Sequence, residues 1–416
     1  MKPSSIRALW TYENRLLLIL FLTFGFVFFD RLALSFLFPF MQDELDLSQT
    51  QLGMISSALA LTWALSGAIA GAWSDSRAKR KALLVVSVLG FSICSALSGL
   101  VGGFISLLVF RALMGLAEGP VLPIAQSLMI QSSTPSRRGL NMGLLQGSSA
   151  GLIGAMIGPP VVIGLATHFG WRVAFYVTVI PGMLIALCIW RWVHEHPGGA
   201  PAADAKPAPI NRWALLRKRN VLLCMLISCF FLTWFIIIIS FAPTFLVKYR
   251  AFSPGDMGLV MTCLGAAWVF WGFAVPAISD RIGRKTALAI FAPIAAMCPI
   301  ALIYGDSAVA LGAVVFFTYT GLGCFTLFMA TVPAETVPPQ VLTGALGLIM
   351  GAGELVGGFV APTAAGLAAD HYGLPVTMWI AAAGALVAGL LALGLKETAP
   401  LVLQRRAAAG VAGAAP

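Results

Sequence analysis

The chain has 416 residues, of which 59% are hydrophobic and only 10% charged, and its formal net charge is +10. Soluble domains carry about 25% charged residues, so this composition cannot clothe a water-facing surface and excludes a soluble globular protein. It predicts a membrane protein whose apolar segments, mostly of about 20 residues, match a hydrocarbon core of about 30 Å.

In chain order, Lys2, Arg7 and Arg15 stand before a first apolar segment at 16–40. Nothing before that segment has the short apolar core and small-residue cleavage site of a removable signal. Asp30 and Arg31 lie side by side within it, in FFDRLALSF, where each charge costs about 2.5–3.5 kcal/mol at mid-bilayer. The acidic run QDELD follows at 42–46, then a second span at 52–73 that ends in Asp75, Arg77, Lys79, Arg80 and Lys81. Spans at 82–101, 104–130, 141–167 and 173–193 complete a first half, residues 1–193. The fourth carries Arg111 and Glu118, and the fifth carries Gln146, Ser148 and Ser149.

Residues 194–220, rich in Pro, Ala and Gly and then basic, read as a linker, with a short amphipathic helix at 211–219 lying on the membrane. Six further spans follow at 221–246, 257–278, 286–304, 308–332, 344–368 and 376–395. They form a second half (221–395) with a tail at 396–416, and they hold Tyr319 and Glu354. The seven cysteines fall mostly in apolar segments without metal-ligand spacing, so they read as packing residues and no metal is expected.

The basic residues alternate with the spans. The N-terminal group, 77–81, Arg137 and Arg138, the linker, 281–285 and the tail all fall on one side. The other side has only Arg172, Lys248 and Arg250 beside the acidic QDELD. Positive residues gather in the cytoplasm, so both termini are expected there, in a multi-pass protein of the cell's inner membrane. The positive charge thus encodes topology and gives no reason to expect nucleic acid as a partner.

The halves repeat each other. Asp75 in GAWSDSRAKRKAL and Asp280 in PAISDRIGRKTAL are 205 residues apart, and HFGWRVAFYV at 168–177 echoes HYGLPVTMWI at 371–380. Duplication of this kind builds many transporter folds, with the binding site between the repeats near the bilayer midplane. The loop D280-RIG-RK resembles the signature loop of the major facilitator superfamily. The first copy departs from it, with Ala78 in place of glycine. Within that superfamily, Asp30-Arg31 and R111-ALMGLA-E118 resemble the anion:cation symporter family. The resemblance spans the whole chain and implies an all-α fold of twelve transmembrane helices in two pseudo-repeated six-helix bundles.

Five ionisable residues lie well inside spans: Asp30, Arg31, Arg111, Glu118 and Glu354. Arg111 and Glu118, seven residues apart, share one helix face at about 10 Å along the axis. Such charges either lock helices together as ion pairs or mark ion and proton pathways. The resemblance implies protonation roles for Asp30 and Glu118. Arg31 offers the bidentate fork that a carboxylate substrate needs. Arg111, Gln146 and Tyr319 are further candidate substrate contacts, and Glu354 is a third proton candidate that could equally be a packed structural acid. Asp75, Lys79, Arg80, Asp280, Arg281 and Arg284 read as gating residues whose charge clusters form and break as the halves rock.

No Gly-Lys-Ser/Thr phosphate loop is present, so ATP is not the expected energy source, and no nucleophile-and-base pairing suggests an enzyme or a cofactor. Ionised, the three buried acids outnumber the two arginines by one. An anionic substrate adds a further negative charge, which a proton would relieve. The expectation is therefore a monomeric proton-coupled symporter importing a small organic anion, such as an aromatic or sugar acid. Two alternatives remain open: a Spinster-like lysolipid carrier, and a proton-driven drug or metabolite efflux antiporter suggested by GAMIGPPVVIG at 154–164.

Overall fold

A computed structural model describes residues 11–77, 80–134, 137–194 and 215–405, apart from the side chains at 68, 70–77, 139, 339, 340 and 343. Eleven helices among the described residues are long and apolar enough to cross a membrane. With Gln49–Arg77 they make twelve, as the apolar segmentation predicts. The first bundle contains α1 (Tyr12–Met41), α2 (Gln49–Arg77), α3 (Arg80–Leu100), α4 (Phe104–Ser132), α5 (Leu140–Phe169) and α6 (Trp171–Trp192). The second contains α7 (Arg219–Tyr249), α8 (Pro254–Ile282), α9 (Arg284–Tyr304), α10 (Ala308–Thr336), α11 (Gly344–Tyr372) and α12 (Pro375–Ala392). Residues 195–214, most of the linker and the first part of its expected surface helix, lie outside the described residues.

Local chemistry sets several helix ends. The Thr11 hydroxyl accepts from the Asn14 amide at the start of α1, and Ser253 accepts from Asp256 at the start of α8, where Pro254 occupies the first turn. The sequence repeat is visible in the backbone: Gly170 and Gly373 end α5 and α11 in the same left-handed conformation, at φ 87° and 86°. Both helices also widen into π-helical stretches, at Ala150–Ile157 and Glu354–Val360, which the same 203-residue offset aligns at all but the first position. Such stretches concentrate at functional sites.

The bundles meet mainly through two helix pairs, α2 with α11 and α5 with α8, with α1 against α7 between them. Two glycines set the approach. A Cβ on Gly53 of α2 would fall 2.1 Å from the Pro362 carbonyl oxygen, and one on Gly265 of α8 would fall 2.2 Å from the Ala155 backbone. The polar ties lie at the end of the molecule away from the termini. The Asp370 carboxylate, on α11, accepts from the amides of Gln49 (2.9 Å) and Thr50 (2.8 Å) and from the Thr50 hydroxyl (2.5 Å). It caps α2 from the opposite bundle and meets the positive end of that helix. Lys248 pairs with Asp43 at 2.5 Å, and the Ser57 hydroxyl donates to the Phe359 carbonyl. Toward the termini the bundles part: Leu144–Ser148 runs beside α8, yet Gln146 and Gly147 are exposed.

A tie within the first bundle steadies the 42–46 turn. Glu44 accepts from the Trp171 indole (2.7 Å) and from Arg172 (2.6 Å). The Trp171 hydrogen bond first, and then Arg172, hold its carboxyl below the usual range despite some opposing desolvation. A carboxyl whose folded-state value is depressed stabilises above its unfolded value and loses that contribution as pH falls through the folded one. The turn should therefore stay protected at neutral pH and loosen only below the ordinary glutamate range. Hydrogen exchange at 42–47 should show that acid limb in the parent and lose it in Glu44→Gln.

Two substitutions test the closed end. Hydrogen bonds to a charged group contribute about 1.5–3 kcal/mol, so Asp370→Ala should shift the balance of closed and open forms toward open by at least about tenfold. Gly265→Ala places a methyl where backbone already sits and should hold the bundles apart. Spin labels at positions 46 and 372, on opposite rims, should report longer distances in both variants. A distribution unchanged from the parent would show that neither contact holds this end shut.

Candidate functional site

Arg31 lies near the middle of α1, half-buried, with its guanidinium 5.7 Å from the centre of the Phe28 ring and 5.3 Å from that of Trp63 on α2. Aromatic faces attract a cation but leave its N–H groups unused. Among the described residues the Arg31 guanidinium has no hydrogen-bond or ion-pair partner. It lines a cavity between the bundles with Ser35, Ser56, Ile55 and Arg111 on one side and Ile236, Ile239 and Ser240 of α7 on the other. About 420 Å³ there is free of protein atoms, part of it continuous with solvent. The cavity lies below the closed end, at the depth where the two halves of a duplicated transporter meet.

Behind Arg31, inside the first bundle, lies a second layer of charge. Asp30, Arg111 and Glu118 are 1%, 1% and 0% exposed, so water does not screen them. The Ser95 hydroxyl donates to Asp30 Oδ1 at 3.2 Å and accepts from Thr178 at 3.0 Å, while Asp30 Oδ2 has no partner among the described residues. Arg111 donates through Nη1 to the carbonyls of Asp30 (3.3 Å) and Arg31 (3.5 Å), which clamps α4 to α1. Its Nε and Nη2 are buried without partners, as are both carboxyl oxygens of Glu118. An unmade hydrogen bond on a buried charged group is costly. The cluster therefore holds spare donors and spare acceptors a short distance from the cavity.

Glu354 has no partner discernible in the sequence, and among the described residues no ion pair or hydrogen bond engages its carboxylate. It begins the π-helical stretch of α11, and Arg31 is the charge within its electrostatic reach. Arg31 also acts on Glu118. One guanidinium thus connects the acids of the two bundles.

The other expected residues distribute unevenly. Gln146 is exposed and accepts from Gln126 at 3.1 Å in the widened part of α5, outside the cavity lining, and Ser149 is tied to its own helix through the Leu145 carbonyl. Tyr319 stands apart. It is fully buried at a break in α10, its ring centre 4.9 Å from that of Trp234, and it is not among the residues lining the cavity. Of the gating set, Asp280 binds Arg284 at 2.6 Å; outside that set, Glu335 also binds Arg284, at 3.0 Å, and Glu397 accepts from the Arg284 amide at 2.7 Å. These contacts fasten α8, α9, α10 and the tail within the second bundle. Arg281 is exposed and Arg80 buried. Lys79 and the Asp75 side chain lie outside the described residues. Trp63, Ser35, Ser56, Ile236 and Ser240 were missed in the sequence, because a Ser, Ile or Trp in an apolar span gives no sign of facing a cavity.

The Major Facilitator Superfamily model matches residues 20–355. The hexuronate transporter of Bacillus subtilis (strain 168) is 32% identical over 294 residues, 66% of this chain and 67% of that one. A probable 4-methylmuconolactone transporter of Cupriavidus pinatubonensis is 28% identical over 360 residues, 82% of each chain. Among solved structures, a bacterial homolog of the human lysosomal transporter Spinster, inward-facing and occupied, superposes with a TM-score of 0.75 at 19% identity. That match covers 92% of this chain and 96% of the other, and at such low identity it speaks for the fold alone. With twelve helices in two repeated bundles, a charged cavity between them and a family match over most of its length, the chain belongs to the Major Facilitator Superfamily: it is a multi-pass membrane transporter and not an enzyme.

Proposed function

We propose that this transporter carries a small organic anion together with protons, by alternating access, and imports it across the inner membrane with both termini in the cytoplasm. The observation that carries the reading is Arg31: a cation in the cavity between the bundles, held on aromatic faces and left without an anionic partner in hydrogen-bond contact. A carboxylate would take both arms of that fork, and the spare donors of Arg111 lie behind it. The organic-acid relatives support the same substrate class. In this orientation the cavity opens toward the cytoplasm, and the Asp370 and Lys248 ties close it to the outside.

Charge arithmetic supplies the proton. Asp30, Glu118 and Glu354 against Arg31 and Arg111 leave one excess negative charge when all are ionised, and a bound carboxylate makes it two. In surroundings of low dielectric this favours the state in which one acid is protonated. By reciprocity, a proton must tighten anion binding by the same factor that the anion tightens proton binding, typically by about 1–3 kcal/mol. Asp30 and Glu118 are the proposed carriers, with Glu354 the next.

Purified protein in liposomes tests this. Arg31→Ala should abolish uptake and equilibrium binding of a carboxylate probe, while Arg31→Lys, which keeps the charge and loses the fork, should weaken both. Uptake should rise as outside pH falls below neutral. At least one of Asp30→Asn and Glu118→Gln should still bind, respond less to pH, and lose accumulation driven by a proton gradient. Unchanged binding in Arg31→Ala would make that residue a structural counter-ion. Gradient-driven, pH-dependent accumulation in both neutral variants would move the proton site elsewhere.

A further inference from the structure

The wall that faces Arg31 says more about the cargo than its charge. Apart from the two arginines, the polar side chains lining the cavity are three serines, Ser35, Ser56 and Ser240. The broad surfaces come from Ile55, Leu59, Ile236 and Ile239. Around the guanidinium the surroundings are aromatic. Phe28 and Trp63 underlie it, Phe28 meets Trp268 of α8 edge-on at 5.6 Å, and Trp268 meets Phe235 of α7 at 5.2 Å. A belt of rings therefore runs from one bundle to the other past Arg31, whose guanidinium N–H groups have no partner among the described residues.

Resting on the proposal that the cargo is an organic anion, we infer that its body is apolar and flat: an unsaturated or aromatic carboxylate, and not a polyhydroxylated sugar acid. A sugar acid brings four or five hydroxyl groups, each of which must exchange water for a protein partner as the site closes. Three serine hydroxyls cannot serve them all, and each hydroxyl left unpaired in a dry site lowers affinity by about tenfold or more. A planar unsaturated body makes no such demand. It lies against the isoleucine and leucine surface with its carboxylate on Arg31, which the rings hold from behind, the division between an apolar wall and a few placed polar groups that small-molecule sites commonly show. The relatives named for hexuronate and for a methylmuconolactone stand on opposite sides of this distinction, so kinship does not decide it and the lining does.

The test uses the purified full-length protein and four probes: benzoate, sorbate, glucuronate and the uncharged benzyl alcohol. Calorimetric binding should place benzoate and sorbate at least about tenfold tighter than glucuronate, with no binding of benzyl alcohol. Trp63→Ala should lower benzoate affinity by about tenfold, and Trp63→Phe, which keeps a ring face, should restore most of it. Ile239→Ser, which adds a hydroxyl to the wall, should shift the glucuronate-to-benzoate ratio several-fold toward the sugar acid. Glucuronate binding as tightly as benzoate would overturn the apolar-body inference and leave the anion reading standing. Binding of benzyl alcohol as strong as that of benzoate, or no binding of any carboxylate, would overturn both.

Discussion

A buried charge in an apolar bundle cannot stand alone, and this constraint governs much of the architecture. Asp30, Arg111 and Glu118 are withdrawn from water inside the first bundle, where an uncompensated ion costs several kcal/mol. They are kept tolerable by one another, by the Ser95–Thr178 relay and by two main-chain carbonyls. The compensation is incomplete, since both oxygens of Glu118 and two nitrogens of Arg111 lack partners among the described residues. A purely structural ion-pair network would be expected to satisfy its members. Groups left open beside a cavity suit the proposed site, where charge balance would change as anion and proton come and go.

Duplication supplies the frame, and departures from the repeat supply the function. The 203-residue offset brings Ala166-Thr167-His168-Phe169-Gly170 onto Ala369-Asp370-His371-Tyr372-Gly373. The turn is shared, but only the second copy has a carboxylate to cap the helix opposite. The same offset sets Glu354 against Gly151, which packs on Trp268. Symmetry thus produces two equivalent helix crossings, α2 with α11 and α5 with α8. One of them carries the charge that can act on Arg31 across the interface, and the other is packed and neutral.

The fold was legible in the sequence because it follows from periodic, redundant signals: span lengths, alternating basic groups and a half-chain repeat. The charged members of the site were legible for a related reason. A carboxylate or guanidinium inside an apolar run is expensive and therefore conspicuous. What the sequence did not disclose is pairing across bundles. Nothing in FFDRLALSF indicates that Trp63 lies under Arg31, or that Glu354 answers it from 323 positions away. Nor does any local pattern separate Tyr319, sealed against Trp234, from a tyrosine facing the cavity. Hydroxyls and aliphatic side chains are ordinary in membrane helices, so their share in the lining emerges only from the packing.

The two bundles divide the work unequally. The four most closely coupled charges, Asp30, Arg31, Arg111 and Glu118, come from α1 and α4, while α7 contributes Ile236, Ile239 and Ser240 to the cavity. The first bundle therefore supplies the charge and much of the apolar surface of the cavity, and the second closes it with an aliphatic wall and one hydroxyl. At the start of the widened stretch of α11 that packs on α2, Glu354 brings a charge of the second bundle toward the proposed anion site. Any motion that separates the bundles must then change the balance of charge around Arg31 as well as the shape of the cavity.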